Sequence, residues 1–158
     1  MNIAAQIANN IRGVYFGGNW TVSNMKEHLA SVNFTQATTQ VFGFNTIATL
    51  LFHSNYYIEA AMQVLNGLPL TSSDKFSFTH PPLHSEADWQ NMLEKSWEQA
   101  EQFAKLVEQL PDSQLFEDFS DKKYGSYFRN LQGIIEHTHY HLGQIVLIKK
   151  IILQESEK

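Results

Sequence analysis

The stretch "IIEHTHYHLGQIVLIKK" (134–150) places a histidine at every second position: His137, His139 and His141. In a strand, alternate side chains share a face, and all three imidazoles could meet one metal ion. In a helix they cannot. Leu131, Ile134, Ile135, Leu142 and Ile145 recur at helical offsets, and no proline or Gly-Asn turn cuts the run into strand-sized pieces. Lys149 and Lys150 fall near its end, where the helix dipole favours cations. The spacing predicts a last helix over roughly 126–154. Gly133 and Gly143 lie inside it, each at a cost of about 1 kcal/mol relative to alanine.

A helix sorts the three histidines. At about 100° per residue, His141 lies about 40° from His137, whereas His139 lies about 200° away. Asn130, Gly133 and Gln144 fall on the stripe of His137 and His141. Two imidazoles at i and i+4 can close on one ion, as in zinc metalloprotease helices. His139 faces elsewhere.

Helical periodicity runs through the rest of the chain. In "EADWQNMLEKSWEQAEQFAKLVEQLP" (86–111), Trp89, Met92, Leu93, Trp97, Ala100, Phe103, Ala104, Val107 and Leu110 form one face. Ser85 is its expected N-cap and Pro111 its stop. In "NTIATLLFHSNYYIEAAMQVLNG" (45–67), Ile47, Leu50, Leu51, Ile58, Ala61, Met62 and Leu65 do the same, with Asn45 the expected N-cap and Gly67 the stop. Residues 3–14 repeat Ile at 3, 7 and 11, and 22–31 suggest a short helix. The expected fold is all-α: one domain over 1–158, four main helices in a bundle joined by long crossovers at 68–85 and 111–125.

Composition narrows the function. The 158 residues are 43% hydrophobic and 17% charged, a globular balance. A formal charge of −5 argues against a nucleic-acid partner. With no cysteine there is no disulfide, thiolate nucleophile or Cys-type zinc site, which fits a cytoplasmic location. "IVLIKKIIL" is broken by its lysines, so no membrane partner is expected either.

A metal needs a third protein ligand. His53 is the candidate, on a helix face with Thr46, Thr49, Tyr57 and Ala60. His80 and His84 are also four apart, but Pro81 and Pro82 forbid a helix interior there. His28 has no evident partner. Gln144, Tyr57 and Asn130, with Trp20 from a glycine-rich loop, are the expected residues around the metal or a substrate. The competing reading makes each histidine a hydrogen-bonded structural residue.

At this point the chain resembles a known family. "HTHYHLGQI" (137–145) is similar to the closing H-x-x-x-H-x-G-Q-I motif of the DinB-like superfamily. "IATLLFHSNYYIEAAMQVLNG" (47–67) resembles that family's second helix, and "NWTVSNMKEHL" (19–29) its early Trp-containing connection. The resemblance spans about residues 15–148. It implies a four-helix bundle holding a divalent metal on three histidines, which carry over to His53, His137 and His141. It also implies kinship with S-transferases that use bacillithiol or mycothiol.

Three neutral imidazoles leave a dication's charge uncompensated and coordination positions open, the pattern of a catalytic site. Zinc or nickel is expected first, then iron or cobalt, because such sites accept metals by availability. No carboxylate shares the ligand stripes, and there is no H-E-x-x-H, so peptidase chemistry is disfavoured. The expected function is a metal-dependent transferase joining a low-molecular-weight thiol to an electrophile. The alternatives are a hydrolase and a non-catalytic metal or small-ligand binding module; a homodimer is admitted. Replacing His137 or His141 by Ala should abolish tight metal binding. His139→Ala should leave metal content, read by elemental analysis of untagged protein, unchanged.

Overall fold

The computed structural model describes residues 2–156. Within them the chain is all-helical, with no strand and a single isolated bridge between Asp118 and Ser126. The helices are α1 (Ile3–Phe16), α2 (Met25–Leu29), α3 (Phe34–Thr38), α4 (Ile47–Leu65), α5 (Glu86–Glu108) and α6 (Tyr127–Ser156). Three 3-10 turns, Asp74–Phe76, Asp112–Phe116 and Lys122–Tyr124, lie in the two long crossovers. No helix among the described residues is long and apolar enough to cross a membrane.

The helix ends follow from local chemistry. Ser85 caps α5 as expected, its hydroxyl accepting from the Asp88 N–H at 3.2 Å. Gly67, at φ +73, turns the chain out of α4, a conformation that costs glycine nothing. The cap of α4 is Thr46 rather than Asn45. Thr46 is extended, and its own hydroxyl lies 3.2 Å from the Thr49 N–H. Ser126 Oγ accepts from the Arg129 N–H at the start of α6. Helix α3 is an addition to the sequence reading. It is held by a capping box in which Asn33 and Gln36 each accept the other's backbone N–H.

α1 and α4 each pack against both α5 and α6. Ile7, Ile11, Leu51, Ile58, Trp89, Phe103, Leu131 and Ile145 fill the space between them, each at most 3% exposed. Two polar side chains inside are paired with each other. Tyr15 donates to Asn55 Oδ1 at 3.0 Å, and Asn55 donates to the Ser96 carbonyl at 3.1 Å. The Trp89 indole donates to the Val32 carbonyl at 2.7 Å, tying the segment after α2 to α5.

α4 and α6 run in opposite senses along their shared face. Leu50 shares a cavity wall with Ile148, His53 meets His137, and Ala60 shares a wall with Asn130. One carboxylate fastens the second crossover: Asp112 accepts from the Ile3 and Ala4 N–H groups at 3.1 and 3.0 Å. These donors in the first turn of α1 have no partner within the helix, and a negative charge there also suits the dipole. Asp112→Ala should lower the urea midpoint, with about 1 kcal/mol of stability lost and the denaturant slope unchanged.

Candidate metal centre

α6 carries His137 and His141 one turn apart, and α4 presents His53 opposite them. Their Nε2 atoms converge. His53 Nε2 lies 3.1 Å from His137 Nε2, and His141 Nε2 lies 2.9 Å from the same atom. His53 and His141 are 4% and 6% exposed, and His137 is half-buried. Among the described residues this triad is the cluster able to hold a metal ion.

The opposite edges of two rings are fixed. His53 Nδ1–H donates to the Ser77 carbonyl at 3.2 Å. His141 Nδ1–H donates to Gln144 Oε1 at 2.7 Å. A carbonyl oxygen can only accept, so each bond places the proton on Nδ1 and leaves the Nε2 lone pair facing the triad. This is how ligating histidines are oriented in metal sites. His137 stands between two lone pairs, and its own Nδ1 is buried without a partner. A neutral imidazole has one N–H and can satisfy only one of its two neighbours. A shared cation satisfies all three. Two nitrogens each about 2.1 Å from one ion lie about 3.0 Å apart at a right angle and about 3.4 Å apart at the tetrahedral angle. The separations of 2.9 and 3.1 Å lie close to the first and short of the second, so the donor set fits a divalent metal with a small opening of the rings.

Electrostatics point the same way. Burial lowers the pKa of all three histidines, and that of His137 falls to about 4. The charge of His141 lowers both His53 and His137 further, and His53 adds to the effect on His137. The Ser77 carbonyl partly opposes this at His53, as Gln144 does at His141. The imidazoles are therefore neutral at pH 7, the form that binds metal.

Aromatic rings wall the triad. Phe78 stacks on His53 at 3.7 Å between centroids and an interplanar angle of 12°. Tyr57 stands edge-on to His53 and His137 at 5.1 and 4.9 Å, and Tyr140 edge-on to His141 at 5.0 Å. The Tyr57 hydroxyl donates to Asp74 Oδ1 at 3.1 Å. A groove of about 390 Å³, lined by Tyr57, Arg129, Asn130, Gly133, Ile134 and His137, reaches the triad from one side. A Cβ built on Gly133 would meet nothing within 4 Å, so the glycine fronts open space. Gln144 lines another cavity, of about 310 Å³, with Phe44, Leu50, Leu147 and Ile148.

Most of the expected site residues meet here: the triad, Gln144 and Tyr57 directly, and Asn130 on the groove wall. Trp20 does not take the expected place. It sits in the loop between α1 and α2 with its side chain 96% exposed, so it faces solvent rather than walling the triad. His139 turns back to its own helix, with Nδ1 3.1 Å from the Ile135 carbonyl. His80 is paired with the Pro81 carbonyl and His28 with Ser23, while the His84 backbone N–H donates to Asp88. Asp74, Ser77 and Phe78 are absent from the sequence reading. They come from an aperiodic crossover, and only the tight "DKFSF" (74–78) spacing of polar and aromatic residues hints at them.

The chain matches no family model, no curated protein and no solved structure.

The lowered pKa values set a pH dependence for the metal-free protein. Unfolded imidazoles titrate near about 6.5, whereas folded His137 titrates at about 4. Between these values the unfolded chain binds more protons, so the contribution is whole above the unfolded pKa and is lost as pH falls toward the folded one. Urea midpoints of chelated protein should drop from pH 7 to pH 5, and His137→Asn should flatten that slope.

Proposed function

We propose that this is a divalent-metal protein of the DinB-like, four-helix-bundle kind that joins a low-molecular-weight thiol to an electrophile. The observation that carries the reading is the convergence of three neutral Nε2 atoms, two of them held in place by Nδ1–H bonds to Ser77 and Gln144. His53, His137 and His141 would hold the metal. When bound, a dication on neutral ligands supplies uncompensated positive charge that favours a thiolate over a thiol near neutral pH. The sulfur forms a bond to the electrophilic carbon, the leaving group departs with its electron pair, and the thiol proton passes to solvent.

The chain's own residues do the rest. Ser77 and Gln144 keep the ligand nitrogens unprotonated toward the centre. Phe78, Tyr57 and Tyr140 screen the imidazoles and lower the local dielectric, which strengthens charge effects there. The groove on the Asn130 and Gly133 side gives a substrate access to His137. Of the flanking carboxylates, Glu59 accepts from Gln99, Glu136 is exposed, and Asp74 accepts from the Tyr57 hydroxyl. A thiol nucleophile needs no carboxylate base, which favours transfer over peptidase-type hydrolysis.

The test is a panel of small thiols, bacillithiol included, assayed against a chloronitroaryl electrophile. Zinc- or nickel-loaded protein should accelerate the reaction. Chelated protein and His141→Ala should not. Equal rates for loaded and chelated protein across the panel would leave a non-catalytic metal-binding module as the better reading.

A further inference from the structure

A cavity of about 520 Å³, the size of a small-molecule site, lies beside the triad rather than on it, and its wall includes Tyr56, Tyr57, Phe119, Tyr124, Asp74 and Asn130. We propose that it binds a small organic ammonium ion.

Its lining offers aromatic faces and acceptors. Four aromatic rings wall it, and Asp74 is the one charged side chain among its lining residues; no lysine or arginine contributes. Tyr56 is fixed by its neighbour Ser73, donating to the Ser73 carbonyl at 2.8 Å and accepting from the Ser73 N–H at 3.0 Å. Tyr57 holds Asp74 through Oδ1. Asp74 is exposed, and its other oxygen faces the solvent-filled cavity. Asn130 directs its NH₂ to the Tyr124 and Ser126 carbonyls at 3.0 and 2.8 Å, which leaves its amide oxygen to accept.

An anion in this cavity would face a carboxylate. A neutral apolar ligand would strip water from Asp74 and return no hydrogen bond. An ammonium ion meets both needs: N–H donors for Asp74 and Asn130, and positive charge against the ring faces. Outside the lining, the Lys123 ammonium lies 4.9 Å over the Tyr124 ring, so this ring already takes a cation on one face. Tyr57 and Asn130 belong to this cavity and to the groove that reaches His137, so a ligand anchored at Asp74 can extend toward the triad. The inference concerns equilibrium binding and stands whether or not thiol transfer is the reaction.

Benzylammonium, benzyl alcohol and benzoate share a shape and differ in charge. Calorimetric or NMR titration of the full-length, metal-loaded protein should rank benzylammonium about tenfold tighter than benzyl alcohol, with benzoate weakest. Asp74→Asn should remove most of that preference, and Tyr124→Ala should weaken benzylammonium several-fold, both read at full metal occupancy and with helicity unchanged. Glu94→Gln, a loss of the same charge on an exposed part of α5, should have no effect. Equal affinities for benzylammonium and benzyl alcohol would overturn the proposal. So would equal losses in the Asp74 and Glu94 variants, which would reduce the preference to general attraction toward an acidic protein.

Discussion

Two imidazole lone pairs aimed at the nitrogen of a third ring, 2.9 and 3.1 Å away, are not both satisfied unless a cation lies between them. In this protein the opposed packing of α4 and α6 brings them that close, and hydrogen bonds behind the rings hold them there. A free histidine would rotate or take the other tautomer to escape. His53 cannot do so without losing Ser77, nor His141 without losing Gln144. The arrangement resists relaxation, as a site preorganised for a cation must.

The dependence extends outward from that point. His53 is on α4, but its orientation comes from Ser77 and Phe78 in the first crossover. That segment is anchored by Tyr56 and Tyr57, which return to α4 through Ser73 and Asp74. The crossover and the triad therefore assemble together. A cation held by the triad would be thermodynamically linked to docking of residues 73–78, each favouring the other. The same tyrosines line the large cavity, which places its occupant in contact with the groups that set the ligand geometry.

What the sequence made legible follows from which features are periodic. The 3.6-residue rhythm of apolar residues marks α1, α4, α5 and α6, and the i, i+4 pair on α6 singles out His137 and His141 over His139. His53 could be named from its helix face, but its meeting with His137 depends on how α4 and α6 pack. Asn33 and Gln36 carry the capping pattern of α3, yet a five-residue helix has no rhythm to display. Ser77 acts through its backbone carbonyl, and Asp74 and Phe78 reach the site by loop geometry, for which a residue type is a poor sign. Trp20 shows the reverse error: a large aromatic beside glycines suggests a pocket wall, and the side chain instead points into water.

Gly133 is a surrender of helix stability at a position where a side chain would collide with nothing. Alanine there would favour the helix by about 1 kcal/mol, and its methyl would project into the groove beside His137. The position works as an aperture stop. Successively larger residues there would narrow the approach to His137 while leaving the three imidazoles and their supports in place, so access to the triad can be set separately from its geometry.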